Sequence, residues 1–499
     1  MHRRQLLASA AAAVLLPHAG RAEDPPFDGQ TVRAMARALA TTPYKPPDTN
    51  VPEPFDKLSY DQYGQIRFDP NQALWRTGAL PFQAQFYHRG FLFRERVDLF
   101  EVADGRARPI AYRPEQFSFP ADIHPPKDAA ALGFAGVKLL APINRPDTFD
   151  EVASFLGASY FRAVGRNLTY GISARGLALN TGDPGGEEFP AFRAIWLERP
   201  TAGTNSVVVS ALIDSPSATA AMRIAIRPGD DTVMDVELSV NPRVDLAQPG
   251  IATGTSMFQF DASNHAGQDD WRPAVHDSDG LMMLTGRGEA LWRQLANPRT
   301  LQISSFTDSG PRGFGLMQRK RSLLDFEDLA VRYDRRPSLW VEPIGDWGEG
   351  VVQLVEIPTR DEIHDNIVAF WRPKNPLRAN AEHTFTYRLH WCAEPPVATD
   401  LGRFVSCRGG LAQPAGRVFV LEATGAKLRA IPPETPLTGR VSTDKGTISG
   451  VLVTPNPEMG GWRISFDLQP GDTRIAELRA TIMQGDTPVT ETWVYRWTA

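Results

Sequence analysis

Residues 206–241 read SVVVSALIDSPSATAAMRIAIRPGDDTVMDVELSVN. Three apolar runs, Val207–Ile213, Met222–Ile226 and Val233–Val240, are joined by stretches of turn-forming residues. In the last run Met234, Val236, Leu238 and Val240 alternate with polar neighbours, the period of a strand with one buried and one wet face. The reading is a β-meander, and the same texture extends in both directions. The chain has 499 residues, with 41 glycines and 42 prolines punctuating many short apolar runs. Helical periodicity is scarce. An all-β protein of two or three domains is expected, with ample core volume.

Upstream, from Tyr60 to Tyr112, alternating strands are expected between turn residues, with a tight reversal at Asp104-Gly105. Before them, Asp28 is placed to cap a helix in which Val32, Met35, Ala36 and Leu39 repeat at helical spacing and which ends near Thr41. Residues 1–22 read as a signal peptide. Arg3 and Arg4 precede an apolar run to Leu16, and small residues surround a cleavage point after Ala22. The paired arginines resemble a twin-arginine export signal. Removing this segment takes away three arginines and no acid, leaving 50 basic against 58 acidic residues, a net charge of −8. That balance excludes a basic surface for nucleic acid.

Downstream, Tyr333–Trp371 reads YDRRPSLWVEPIGDWGEGVVQLVEIPTRDEIHDNIVAFW. Val351–Ile357 and Ile367–Trp371 are expected strands, which puts Asp361, Glu362 and Asp365 on the loop between them. Loops held by a rigid sheet are where reactive groups are commonly carried. Carboxylates near indole faces suit a carbohydrate, because aromatic faces pack on sugar rings and paired carboxyls serve as acid and base at a glycosidic bond. An acidic loop taken alone is more often simply a solvated surface. A second acidic segment, WRPAVHDSDGLMMLTG at Trp271–Gly286, carries His276, Asp277 and Asp279 just before an apolar strand. It lacks the oxygen-ligand count of a hard-cation loop and the second His or Cys of a zinc site, so no metal and no cofactor is expected. The run FLGASYFRAVGRNLTYGISARGLAL offers Tyr160, Arg162 and Arg175 as weaker candidates for sugar hydroxyls, although arginines at strand ends also pair with acids. Trp340 and Trp347 are the aromatic candidates.

Domain bounds are placed at 23–392 for a large N-terminal β-sandwich, 393–400 for the linker AEPPVATD, and 401–499 for a small sandwich. Strands are expected there at Arg463–Leu468, Glu477–Met483 and Val489–Trp497. Cys392 and Cys407 flank the linker and are open to either a bridge or two free thiols.

The segments FLGASYFRAVG, YGISARGLAL, HDSDGL, RRPSLWVEP, EIPTRDEIHDNIVAFW and TETWVYRW together resemble the periplasmic glucans biosynthesis protein family (OpgG/OpgD, also MdoG/MdoD), from about Asp28 to the final strand. The resemblance implies a galactose-mutarotase-like β-sandwich followed by an immunoglobulin-like one. It also implies a periplasmic location and action on β-1,2-glucan as an inverting endo-glucanase or related transglycosylase, with non-catalytic glucan binding as the alternative. A functional link to a membrane glucan synthase is implied as well, and a homodimer is left open. The twin-arginine cue makes the D type the nearer relative. By motif, the family's essential acids fall on Asp277 in HDSD and Asp365 in IHDN. Glu362, Tyr333 and Arg336 match positions close to the reaction centre. Against the D-type pattern, Arg403–Val418 is short and has only Phe404 as an aromatic.

Overall fold

The computed structural model describes residues 24–126, 129–265, 267–397, 399–412 and 416–499. The expected signal segment, with its arginine pair, lies outside them. Strands dominate, and the chain forms two compact units, each discontinuous in sequence.

The first unit comprises residues up to Asn167, Ser173–Thr253 and Trp371–Trp391. The meander falls as its sequence dictates: Val207–Asp214, Ala218–Arg227 and Thr232–Pro242 are consecutive antiparallel neighbours. Residues 383–391 pair beyond the last of them, and Ala191–Glu198 before the first. Asp98–Ala103 then joins in parallel, followed by its hairpin partner Arg106–Pro109. At that hairpin Asp104 and Gly105 have φ of 54° and 69°, the paired left-handed residues that a two-residue reversal requires. A second antiparallel run takes Gln83–His88, Phe134–Arg145, Thr148–Leu156, Tyr160–Ala163 and Ser173–Arg175 in order. Phe155 against Phe192, and Phe161 against Trp391, join the two sets of strands face to face.

The expected helix forms at Thr31–Ala40 and lays Val32 and Ala36 on the sheet beside Trp196, Leu212 and Ala221. Asp28 does not occupy its N-cap. Gln30 does, and the Asp28 carboxylate instead accepts from Gln30 N–H and Thr31 Oγ1, both at 2.9 Å, bracing the approach to the helix. Burying Val32 is worth about 1.5–3 kcal/mol. Glu382 fastens the helix, accepting from Arg33, Arg37 and Ser239. The Tyr60–Tyr112 stretch also departs from an all-strand reading, because Ser59 and Gln62 close a capping box that starts a short helix, Tyr60–Gln65.

The second unit comprises Leu168–Ile172, Gly254–Phe370 and Cys392–Ala499. Gly280–Leu284 pairs with Ala290–Gln294 and with Gly313–Met317, which pairs in turn with Ser338–Ile344. Ala290–Gln294 also runs parallel to Thr492–Thr498, and Ile475–Gln484 and Thr438–Thr443 continue outward. Arg403–Leu411, Arg417–Thr424, Gly461–Gln469 and Thr447–Asn456 form a four-stranded antiparallel sheet. Phe419, Leu421, Ile464, Phe466, Leu478, Ile482 and Trp493 fill the core shared by these sheets. Arg403–Val418, read from sequence as a shortened insertion, is mostly one arm of a hairpin in that sheet. No disulfide joins Cys392 and Cys407, and burial raises the Cys407 thiol well above its ordinary value. No described helix is long and apolar enough to cross a membrane.

Candidate functional site

The second unit brings five of the sequence candidates to one place. Two short strands, Phe258–Phe260 and Val275–His276, form the floor. Asp277 follows the second strand, and its N–H donates to Met257 O at 2.8 Å. Asp365 reaches the same floor through its neighbour. Asn366 accepts from Phe258 N–H at 2.8 Å and donates to Phe258 O at 3.0 Å and to Ile357 O at 2.9 Å. The dipeptide Met257-Phe258 is therefore held on one side by Asp277 and on the other by the residue next to Asp365. Buried amide pairs of this kind fix a loop end as firmly as a sheet ladder does.

The acidic loop between Ile357 and Asn366 is pinned at further points. Asn297 exchanges hydrogen bonds with both backbone groups of Thr359, and Gln259 donates to Arg360 O. Glu362 is thereby delivered to an arginine that the sequence reading passed over. The Arg272 guanidinium donates from Nη1 to Glu362 Oε2 at 2.7 Å and to Asp328 Oδ2 at 3.1 Å. Its Nε and Nη2 grip Asp270 in a fork at 3.0 and 2.7 Å. Tyr333 donates its hydroxyl to the same Glu362 Oε2 at 2.9 Å. Burial, and then the Glu362 charge, raise the Tyr333 phenol, so it stays a donor throughout the physiological range. Burial alone would raise the Asp328 carboxyl. Val331 N–H, Arg272 and Ala330 N–H together hold it below its ordinary value.

Arg336 sits with Nε 3.4 Å from Asp277 Oδ1 and its guanidinium 5.5 Å from the Tyr333 ring centre. Its stem lies on Gly171, where a Cβ would come within 2.8 Å of Arg336 Cδ, so the close approach requires glycine. Gln318, fully buried, donates to both His276 O at 3.0 Å and Tyr333 O at 3.3 Å, tying the HDSD segment to the YDRR segment. His276 is packed between Phe258 and Phe326, and burial first, then Lys320, push its pKa down to about 3. It is a neutral core ring, not a ligand or a base.

Asp277 is 7% exposed, whereas Asp365 and Glu362 are half-buried. The cluster thus has one nearly enclosed carboxylate and two that solvent reaches. Trp340 requires a correction. At 1% exposure it is a core residue, its ring filling the space above Gly313, and it cannot face a ligand. A Trp packed over the glycines of a neighbouring strand is core, and the sequence pattern does not separate that from a sugar platform. Trp347 is buried too. Tyr160, Arg162 and Arg175 belong to the first unit, where Arg175 pairs with Glu187 over the Tyr160 ring and Arg162 donates to Ser173 at 2.7 Å.

Fold and cluster together define an all-β protein with an acid-rich site framed by arginine and tyrosine. The family described as "Periplasmic glucan biosynthesis protein, MdoG" matches residues 27–497, and the chain belongs to it. It is 54% identical to the "Glucans biosynthesis protein G" of Rhodopseudomonas palustris (strain BisA53) over the whole of both chains. The protein of that name from Bradyrhizobium diazoefficiens is 53% identical, again over the whole of both chains. Its namesake from Vibrio cholerae (strain O395) is 47% identical over 95% of this chain and 87% of the relative. These relatives correct the leaning toward the D type, which rested on two arginines outside the described residues.

Proposed function

We propose that the protein acts on β-1,2-glucan in periplasmic glucan biosynthesis, as an inverting endo-glucanase or related transglycosylase. The observation that carries this reading is the chain Arg272–Glu362–Tyr333, which shares its segment with Arg336, itself 3.4 Å from Asp277. Inversion needs an acid at the leaving oxygen and a base that activates water from the opposite face. Asp365, which solvent reaches, is assigned as the acid. Asp277, beside Arg336, is assigned as the base, with the water's proton relayed through Tyr333 and Glu362. Arg272 orients Glu362 by donating to its Oε2, and Asp277 is where the relayed proton ends. The division into a glucan-handling domain at 23–392 and an immunoglobulin-like one at 401–499, and export by the twin-arginine route, belong to the same proposal.

The enclosure of Asp277 favours a second reading, a non-catalytic factor that binds nascent glucan and presents it to a membrane synthase. One experiment separates the two. Mature protein incubated with linear β-1,2-glucan should shorten or rearrange it by mass spectrometry, and Asp277→Asn and Asp365→Asn should each lower the rate by about a thousandfold or more. Binding with unchanged chain length would establish the second reading.

A further inference from the structure

Large apolar side chains scattered singly over a surface need no explanation. In the second unit, three of them are not scattered. Trp271, Leu329 and Ile363 are 71%, 74% and 81% exposed. Trp271 is the chain neighbour of Arg272, Leu329 of Asp328 and Ile363 of Glu362. Those three neighbours are bound to one another, with Arg272 Nη1 at 2.7 Å from Glu362 and 3.1 Å from Asp328. One ion-pair node therefore ties together the three segments, 34 to 92 residues apart in sequence, that carry these exposed apolar side chains. Within it, Glu362 takes both of its hydrogen bonds on Oε2, and Oε1 accepts none among the described residues. An acceptor is thus left on the node that joins the three segments.

We infer that Trp271, with Leu329 and Ile363 beside it, seats the apolar faces of pyranose rings, while Glu362 Oε1 accepts from a hydroxyl at the ring edge. The inference rests on the glucan reading above and deepens it by naming a subsite. A pyranose ring presents C–H faces and a rim of hydroxyls, so it asks for apolar contact interrupted by acceptors at short intervals. That is the texture here, one charged neighbour for each apolar side chain. A protein partner would ask instead for a continuous apolar patch with its charges at the rim. Indole is the strongest of the three contacts, because its flat face covers the most ring at the least entropic cost.

The test uses the full mature chain and linear β-1,2-glucan. In an Asp365→Asn background, which holds glucan uncut, titration calorimetry should show Trp271→Ala binding about tenfold or more weakly and Trp271→Phe within about threefold of its parent. In the otherwise unaltered enzyme, Trp271→Ala should raise KM with kcat nearly unchanged. Glucan should also shift the tryptophan emission of the parent but not of Trp271→Phe. Because Trp271 is exposed, melting temperatures should coincide, which removes misfolding as an explanation. Equal glucan affinity in Trp271→Ala and its parent would overturn the subsite while leaving the glucan reading intact. A parent that neither binds nor cuts the glucan would overturn both.

Discussion

Glu356 and Glu362 stand six residues apart at the start of one loop, each paired with an arginine from a distant strand or loop. Glu356 is fully buried. Arg293 fills one of its oxygens at 2.9 Å and Ala296 N–H the other at 2.8 Å. Burial raises its pKa even so, against the pull of Arg293. Glu362 keeps a third of its side chain exposed and places both of its bonds on a single oxygen. A carboxylate with both oxygens occupied and no solvent has only a structural task left. One with an oxygen to spare, a tyrosine donor and solvent access can still accept a hydrogen bond from outside the protein. Ion pairing alone does not mark a working site. What marks it is the pairing left incomplete.

The contrast can be broken at either end. The largest effect is expected at the buried end. Glu356→Ala would leave the Arg293 guanidinium buried without a counter-charge, costing about 3–5 kcal/mol and lowering the thermal midpoint, while turnover per folded molecule is retained. A midpoint within a degree of the parent would show that this pair is not structural.

Glu382 supplies an intermediate case. Burial raises its pKa, but Ser239, Arg33 and Arg37 outweigh this and hold it at about 2, against an ordinary value of 4.5. With the folded value depressed, the stabilisation is fully present above the unfolded value and fades as pH falls from about 5 toward 2. Its size is at most about 3 kcal/mol, reduced by the exposure of Arg37. Glu382→Gln should therefore cost most at pH 7 in urea unfolding, and its gap to the parent should close near pH 2. A gap independent of pH would disprove the assignment.

The smallest effect on stability and a selective one on activity are expected at the open end. Arg272→Ala should lower kcat/KM by about ten- to a hundredfold, with little change in midpoint, because Glu362 loses its orienting partner but remains in contact with water. Arg272→Lys should recover only part of the loss, since an ammonium cannot reproduce the fork on Asp270. Loss of fold in Arg272→Ala would reassign this node to the structural class of Glu356.

Much of the architecture is legible in local pattern. Period-two alternation marks the meander, and Asp-Gly marks the hairpin at 104–105. Parallel pairing of Ala290–Gln294 with Thr492–Thr498 is not legible, because two strands about two hundred residues apart carry no local sign of each other. The site divides the same way. Its acids stand out in HDSD and RDEIHDN, and the family resemblance singles out Tyr333 and Arg336. Arg272, Asp328, Gln318 and Asn366 are polar residues in unremarkable surroundings whose roles arise only from contacts across the fold. Trp340 shows the converse, a residue whose type suggests a ligand platform and whose neighbours make it core.

In the mechanism proposed above, Asp277 and Asp365 act from opposite faces of one glycosidic bond. Proton NMR of the first products released from linear β-1,2-glucan tests it most directly. With inversion, the new reducing end appears first as the α-anomer and drifts to equilibrium by mutarotation. Initial release of the β-anomer would contradict it, as would a glucan left uncut by the unaltered protein.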